Sequence, residues 1–223
     1  MSDKNQMIDT LIIGAGGHGK VVLDILRAGD QYRPIGFVDA DPKLTGTRVC
    51  GLAVFGAIHL LNRLIAQHRI GAAIIAIGDN RARSSYAKAV DDAHIPLINA
   101  IHESAVVSPT AKLGRNVVVA ANAVICTEAR VGDFSIVNTA ATVDHECEIG
   151  SAVHICPGAH LAGRVRVDAD AFIGMGANII QCLRIGNGAT IGAGAVVLAD
   201  VPSHATAVGV PARVVKSGQA RAA

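Results

Sequence analysis

From Ile101 onward an aliphatic residue returns at every sixth position, seventeen times in one frame, through Val107, Leu113 and Val119 as far as Val197. The position four later is small or aliphatic throughout, as at Ala105, Ala123, Ala141, Cys147 and Ala195. The position one later is often glycine, as at 114, 132, 150, 174, 186 and 192. An α-helix needs a period of 3.6 and an ordinary amphipathic strand a period of 2. A sustained six punctuated by glycine is the mark of a β-helix. Each hexapeptide makes one face of a triangular coil, with three hexapeptides per coil and five to six coils in all. The frame residue points inward and the smaller residue fits beside it. The glycine is expected at a corner of positive φ.

The first hundred residues follow a different grammar. Asp9–Ile13 reads as a strand, followed by the turn Gly14-Ala-Gly-Gly-His-Gly19 and a helix over Lys20–Ala28 with Val21, Val22, Ile25 and Leu26 on one face. Further strands are expected at Ile35–Val38, Ala72–Ile77 and Pro96–Ile98, and helices at Ala57–His68 and Arg81–Ala93. This alternation predicts a parallel sheet covered by helices. Two domains follow, 1–98 and 99–223. Ligands of such sheets sit at the carboxyl ends of the strands, here Gly14–Gly19, Asp39 and Gly78–Asn80.

Composition removes several functions. The net charge is +2, from 20 Lys+Arg against 18 Asp+Glu, and aromatics are 3% with no Trp, which argues against a nucleic-acid partner. No apolar run reaches the length of a membrane span, and Met1–Gln6 precede no apolar signal core, so a cytoplasmic protein is expected. The five cysteines lack CxxC spacing, so neither a disulfide framework nor a zinc site is expected.

Three constellations carry chemistry. Gly14-x-Gly16-x-x-Gly19 follows a strand and opens a helix, with Asp39 ending the next strand, as in a dinucleotide fingerprint. Backbone N–H groups and a helix N-terminus hold any diphosphate, and only half of a two-part dinucleotide domain precedes the repeat. No NAD is therefore expected. Asp144-His145-Glu146 interrupts the repeat. A neutral imidazole there is suited to take a proton near neutral pH, and a neighbouring carboxylate can orient the ring. A solvated turn histidine would give the same pattern. Cys147, at a small inward position, is expected to be buried and inert. Third, His154 and His160 could stack near His145, but the spacing does not repeat a ligand pattern and no metal is expected.

Gly14-Ala-Gly-Gly-His-Gly-Lys20, Val38-Asp-Ala-Asp-Pro42, Ala76-Ile-Gly-Asp-Asn80, Asn138-Thr139, Val143-Asp-His-Glu-Cys-Glu-Ile-Gly150 and Gly209-Val-Pro-Ala-Arg213 together resemble one family over nearly the whole chain. It is the bacterial nucleotide-amino-sugar N-acetyltransferase family, with a Rossmann-like α/β domain before a left-handed β-helix. Its members serve N-acetylbacillosamine and perosamine synthesis, and sialic acid O-acetyltransferases are related. The resemblance implies left-handed coils, a homotrimer, acetyl-CoA as cosubstrate and a role in polysaccharide biosynthesis. The acceptor would be a nucleotide-linked 4-amino-4,6-dideoxy sugar. It implies His145 as general base tuned by Glu146. Gly16, Gly17, His18, Asp39, Gly78 and Asn138 would contact the sugar nucleotide, and His154, Met175 and Ala193 acetyl-CoA. Sugar O-acetylation, or a non-catalytic nucleotide-binding trimeric scaffold, are the competing expectations.

Overall fold

A computed structural model describes residues 7–217. The opening segment Met1–Gln6, read above for a signal core, lies outside the described residues. The chain divides into two compact units between Glu103 and Ser104.

In the first unit β1 (Ile8–Ile13) is flanked in parallel by β2 (Tyr32–Val38) and, after a short hairpin of β3 (Arg48–Val49) and β4 (Leu52–Ala53), by β5 (Ala72–Ile75). The sheet order is β2-β1-β5. The strand expected at Pro96–Ile98 is reduced to one bridge, Ala73 to Leu97. Strands buried on both faces need continuous apolar runs. Leu11, Ile12 and Ile13 of β1 and all four residues of β5 are fully or almost fully buried. Helix α1 spans Gly17–Ala28, starting three residues before the expected Lys20. It buries Val22, Leu23, Ile25 and Leu26. Val21, expected on that face, is exposed. The expected helix at Ala57–His68 is a 3₁₀ turn, Ile58–Leu60, followed by α2 (Leu61–His68). The one at Arg81–Ala93 is broken into α3 (Asn80–Ser85) and α4 (Ala87–Asp92).

The second unit is the parallel β-helix. Two-residue strands β7 (Val106–Val107) to β22 (Val196–Val197) recur every six residues, following β6 (Ala100–Ile101) at the end of the first unit. Each pairs in parallel with the strand one coil on, as Val124–Ile125 does with Thr142–Val143. Three sheets result: β7-β10-β13-β16-β19-β22, β8-β11-β14-β17-β20, and one carrying β9, β12, β15, β18 and β21. The last continues into β23 (Thr206–Gly209), which pairs antiparallel with β24 (Ala212–Lys216) around a cis Val210–Pro211 peptide. Every frame residue from Val119 to Val197 is buried, stacked with Ala123, Ala141, Cys147 and their equivalents in one continuous core.

The glycines one place after the frame residue do not make the left-handed corners. Gly114, Gly132, Gly150, Gly174, Gly186 and Gly192 have no positive φ. A β-carbon on Gly174 would lie 2.6 Å from the Ile191 carbonyl oxygen and 2.7 Å from the Ala193 nitrogen of the next coil. Glycine is needed there for close approach of coils. The left-handed corner falls two residues later, at Asn116, Asn122, Glu128, Phe134, Ala140, Glu146 and onward, mostly in residues other than glycine. Such a conformation costs about 1–2 kcal/mol in an L-residue. It is offset by a fixed intercoil hydrogen bond: Phe134 N–H donates to Arg115, Ala140 to Ala121, Glu146 to Thr127 and Arg164 to His145.

Candidate active site

The residues singled out in the sequence fall in separate places. The first lies at the carboxyl ends of β1, β2 and β5. A cavity of about 320 Å³ opens there, lined by Gly16, Gly17, His18, Asp39, Gly78 and Tyr86 among others. That volume lies in the range of small-ligand sites. The glycines of the first loop divide by role. Gly14 has φ +109, and a β-carbon on it would meet the Ala76 carbonyl at 2.7 Å, while one on Gly19 would overlap the Gly14 carbonyl. Those two let helix and strand meet. Gly16, Gly17 and Gly78 have nothing within 4 Å of a β-carbon and open into space. Gly17 and His18 form the first turn of α1, which has neither a side-chain cap nor an acidic residue. A helix start without an acidic residue of its own is a setting that suits a phosphate.

Asp39 lines the cavity and also holds the backbone around it. Its Oδ2 accepts the Ala15 N–H at 2.7 Å and its Oδ1 the Asp41 N–H at 2.8 Å. The carboxylate ties the glycine loop to the end of β2. Arg83, which nothing in the sequence pattern marked, is fully buried. It donates to the carbonyls of Ile77 and Gly78 and to Asn80 Oδ1, at 2.8, 3.1 and 2.8 Å. It thereby shapes the wall opposite the glycine loop. Tyr86 and Ile58 also line the cavity and were not foreseen.

The second place is on the β-helix. His145 and Glu146 follow β13, where Glu146 takes the left-handed corner at φ +58. The ring is turned outward, with 43% of the side chain exposed. Its Nδ1 lies 3.0 Å from Glu146 Oε2. A carboxylate only accepts, so Nδ1 is the donor, and in the neutral ring that tautomer puts the lone pair on Nε2. Arg164, one coil on, donates its Nε to the same oxygen at 3.2 Å. The hydrogen bond from His145, helped by Arg164, holds the Glu146 carboxyl below its ordinary value. Asp144 Oδ1 accepts the His145 backbone N–H at 2.7 Å. Cys147 is buried with its thiol donated to the Ala162 carbonyl, and burial pushes it up to about 11, so it stays protonated.

The remaining residues gather at another corner. Asn138, after β12, donates its Nδ2 to His154 Nε2 at 3.1 Å while its Oδ1 accepts the Thr139 N–H. His154 is nearly buried and packs edge-on against Phe172. Met175 is exposed just past β18, with Ala193 one coil further. His160 belongs to a different sheet from His154, bonded to Thr142 Oγ1 at 2.9 Å. Among the described residues no group of three His, Cys, Asp or Glu side chains could hold a metal ion.

A β-helix of hexapeptide coils that follows a glycine-loop α/β unit in the chain is the architecture of the hexapeptide-repeat acyltransferases, as the comparisons bear out. The domain family described as the PglD N-terminal domain matches residues 9–90. A histidine-to-asparagine variant of perosamine N-acetyltransferase from Caulobacter crescentus, solved with CoA and GDP-perosamine, is 42% identical, covers 95% of this chain and 99% of its own, and has a TM-score of 0.89. The acetyltransferase domain of PglB from Neisseria gonorrhoeae, solved with acetyl coenzyme A, is 40% identical over 94% of this chain and all of its own, with a TM-score of 0.86. The UDP-N-acetylbacillosamine N-acetyltransferase of Bacillus subtilis is 35% identical over 116 residues. That match spans 52% of this chain and 52% of the curated relative. The chain belongs to the nucleotide-amino-sugar N-acetyltransferase family.

Proposed function

We propose that the protein transfers the acetyl group of acetyl-CoA to the amine of a nucleotide-linked 4-amino-4,6-dideoxy sugar. The observation that carries this reading is the half-exposed His145–Glu146 pair, in which Glu146 engages Nδ1 and Nε2 is left to act as the base. Nε2 takes the proton as the amine attacks the thioester carbonyl, and backbone N–H groups hold the oxyanion. The relatives solved with CoA, GDP-perosamine and acetyl coenzyme A support both substrates.

The cavity of the first unit takes the nucleotide. Gly16, Gly17 and Gly78 leave room for a diphosphate against the first turn of α1, Asp39 and Arg83 fix the two loops, and His18 lines the wall. A sheet of three strands is half of a dinucleotide domain, which favours a nucleotide sugar over NAD.

Asn138, His154, Met175 and Ala193 belong to a different corner of the prism from His145. A site that unites a base with these contacts is therefore built between two prisms, as in a homotrimer. The charge distribution agrees. Outward residues of the β8 sheet are Lys112, Arg130, Glu148, Arg166 and Arg184. Those of the second sheet are Val106, Val124, Thr142, His160, Asn178 and Val196; on the third, Phe172 and Thr190 reach the surface, while Val118, Ile136 and His154 are already buried within the chain. A long uncharged face beside a charged one suits a protomer that packs against neighbours and keeps one side in water. Use of acetyl-CoA fits a cytoplasmic enzyme acting before polysaccharide assembly.

Calorimetry with GDP-, UDP- and dTDP-linked sugars and with NADH tests the nucleotide half. Binding of one nucleotide sugar is expected. Tight NADH binding that none of them displaces would overturn it. Sialic acid O-acetylation is the second reading, and acetylation of a hydroxyl acceptor but no amine would replace the first.

A further inference from the structure

Gly163 lies one coil after His145, at the same place in its hexapeptide. Among these positions after the frame residues it is the only glycine; the others are filled by residues such as Thr127, Thr139, Met175 and Gln181. Its φ is not positive, so the backbone does not require glycine. What a side chain would meet is the His145 ring. The three atoms nearest a β-carbon on Gly163 are its Nε2, its Cε1 at 2.5 Å and its Cδ2 at 3.0 Å. The ring lies over the bare α-carbon. Arg164 then makes two bonds to the same pair: its backbone N–H donates to the His145 carbonyl at 2.9 Å, and its Nε to Glu146 Oε2 at 3.2 Å.

We propose that Gly163-Arg164 is a positioning element for the proton-accepting histidine. Gly163 keeps the space beside Nε2 empty, and Arg164 holds the Glu146 carboxylate against Nδ1. This rests on His145 being the general base. A methyl at Gly163 stands against the nitrogen that must receive the proton. To escape it the ring swings off, and the Nδ1 bond to Glu146 lengthens. Arg164 acts through charge as well as geometry. Its guanidinium offsets the carboxylate, and without it the imidazolium is better stabilised. Asp144 accepts the His145 backbone N–H, and beside Asp144 the Cys126 thiol of the preceding coil is pushed up by burial and by that carboxylate.

The test uses Gly163→Ala, Arg164→Gln and Arg164→Lys in the full chain, with Gly163→Ala also in a His145→Ala background. Gly163→Ala is expected to lower kcat by up to about 10²-fold, the usual penalty for a misplacement near 1 Å, with KM for both substrates little changed. It lowers Tm when His145 is present. In the His145→Ala background the methyl enters vacated space and leaves Tm unchanged. Arg164→Gln moves the rising limb of the kcat/KM profile to higher pH, and Arg164→Lys restores part of that shift. An equal Tm loss in both backgrounds, or wild-type kcat in Gly163→Ala together with an unmoved limb in Arg164→Gln, overturns the inference. Should Gly163→Ala fail to fold, the Arg164 variants decide. Full turnover in His145→Ala defeats the general-base reading and this inference with it. Loss of turnover there with unaltered Gly163 and Arg164 variants defeats this inference alone.

Discussion

The proposed general base is one residue, and its replacement tests it. His145→Ala is expected to lower turnover by roughly 10²–10⁴, the usual worth of a general base, with the fold intact because the ring faces outward. Glu146→Gln costs less. It removes the charge that stabilises the imidazolium, so the rising limb of kcat/KM moves to lower pH. The sign for Glu146 itself follows from its depressed value in the folded chain: its ion pairs persist as pH falls and are lost only below the ordinary glutamate range. Asp39→Ala is expected to raise KM for the sugar nucleotide far more than for acetyl-CoA. The structural route is the loss of the Ala15 and Asp41 amide bonds, which lets the glycine loop shift. Equal changes in both KM values would contradict it. His145 and Glu146 were singled out because Asp144, His145 and Glu146 stand together between the frame residues Val143 and Ile149. Arg164 was not singled out, although it stands eighteen residues after Glu146 and so one coil above it. Arg83 had no signal at all, since a buried arginine bonded to carbonyls depends on where a loop turns.

At the scale of the element, the repeat was read with the right strands and the wrong corner. Each frame residue ends a two-residue strand, because a period of six leaves one inward direction per face. The glycines were assigned to positive φ, yet they answer to the next coil's backbone. Only the stacking of coils reveals that contact, which is why spacing alone missed it. Gly174→Ala is therefore expected to destabilise by about 1–3 kcal/mol, the usual cost of overpacking. Gly176→Ala, at a corner with φ +64 and nothing within 4 Å, should cost no more than about 1–2 kcal/mol, since Ala140 and Ala152 already occupy equivalent corners. Denaturant midpoints of the two variants check the order. In the first unit the strands at Ile8–Ile13 and Ala72–Ile75 were legible as apolar runs. The broken helix over 80–92 was not, because its turn at Tyr86 carries no glycine or proline.

The whole molecule is expected to work as a trimer, since the proposed base and the proposed acetyl-CoA contacts end different faces of one prism. Sedimentation should give three chains per particle, and a concentration-independent monomer with full activity would contradict the shared site. No helix among the described residues is long and apolar enough to cross a membrane. The central claim is acetyl transfer to a nucleotide-linked amine with His145 as base. Its most direct measurement is the release of CoA thiol from acetyl-CoA, with the acetylated product identified by mass spectrometry, over a set of GDP-, UDP- and dTDP-linked 4-amino-4,6-dideoxy sugars. CoA release is expected to require one of these acceptors, to leave the acetyl group on its nitrogen, and to fall by roughly 10²–10⁴ in His145→Ala. No acceptor-dependent release from the trimer, or undiminished release in that variant, would contradict it.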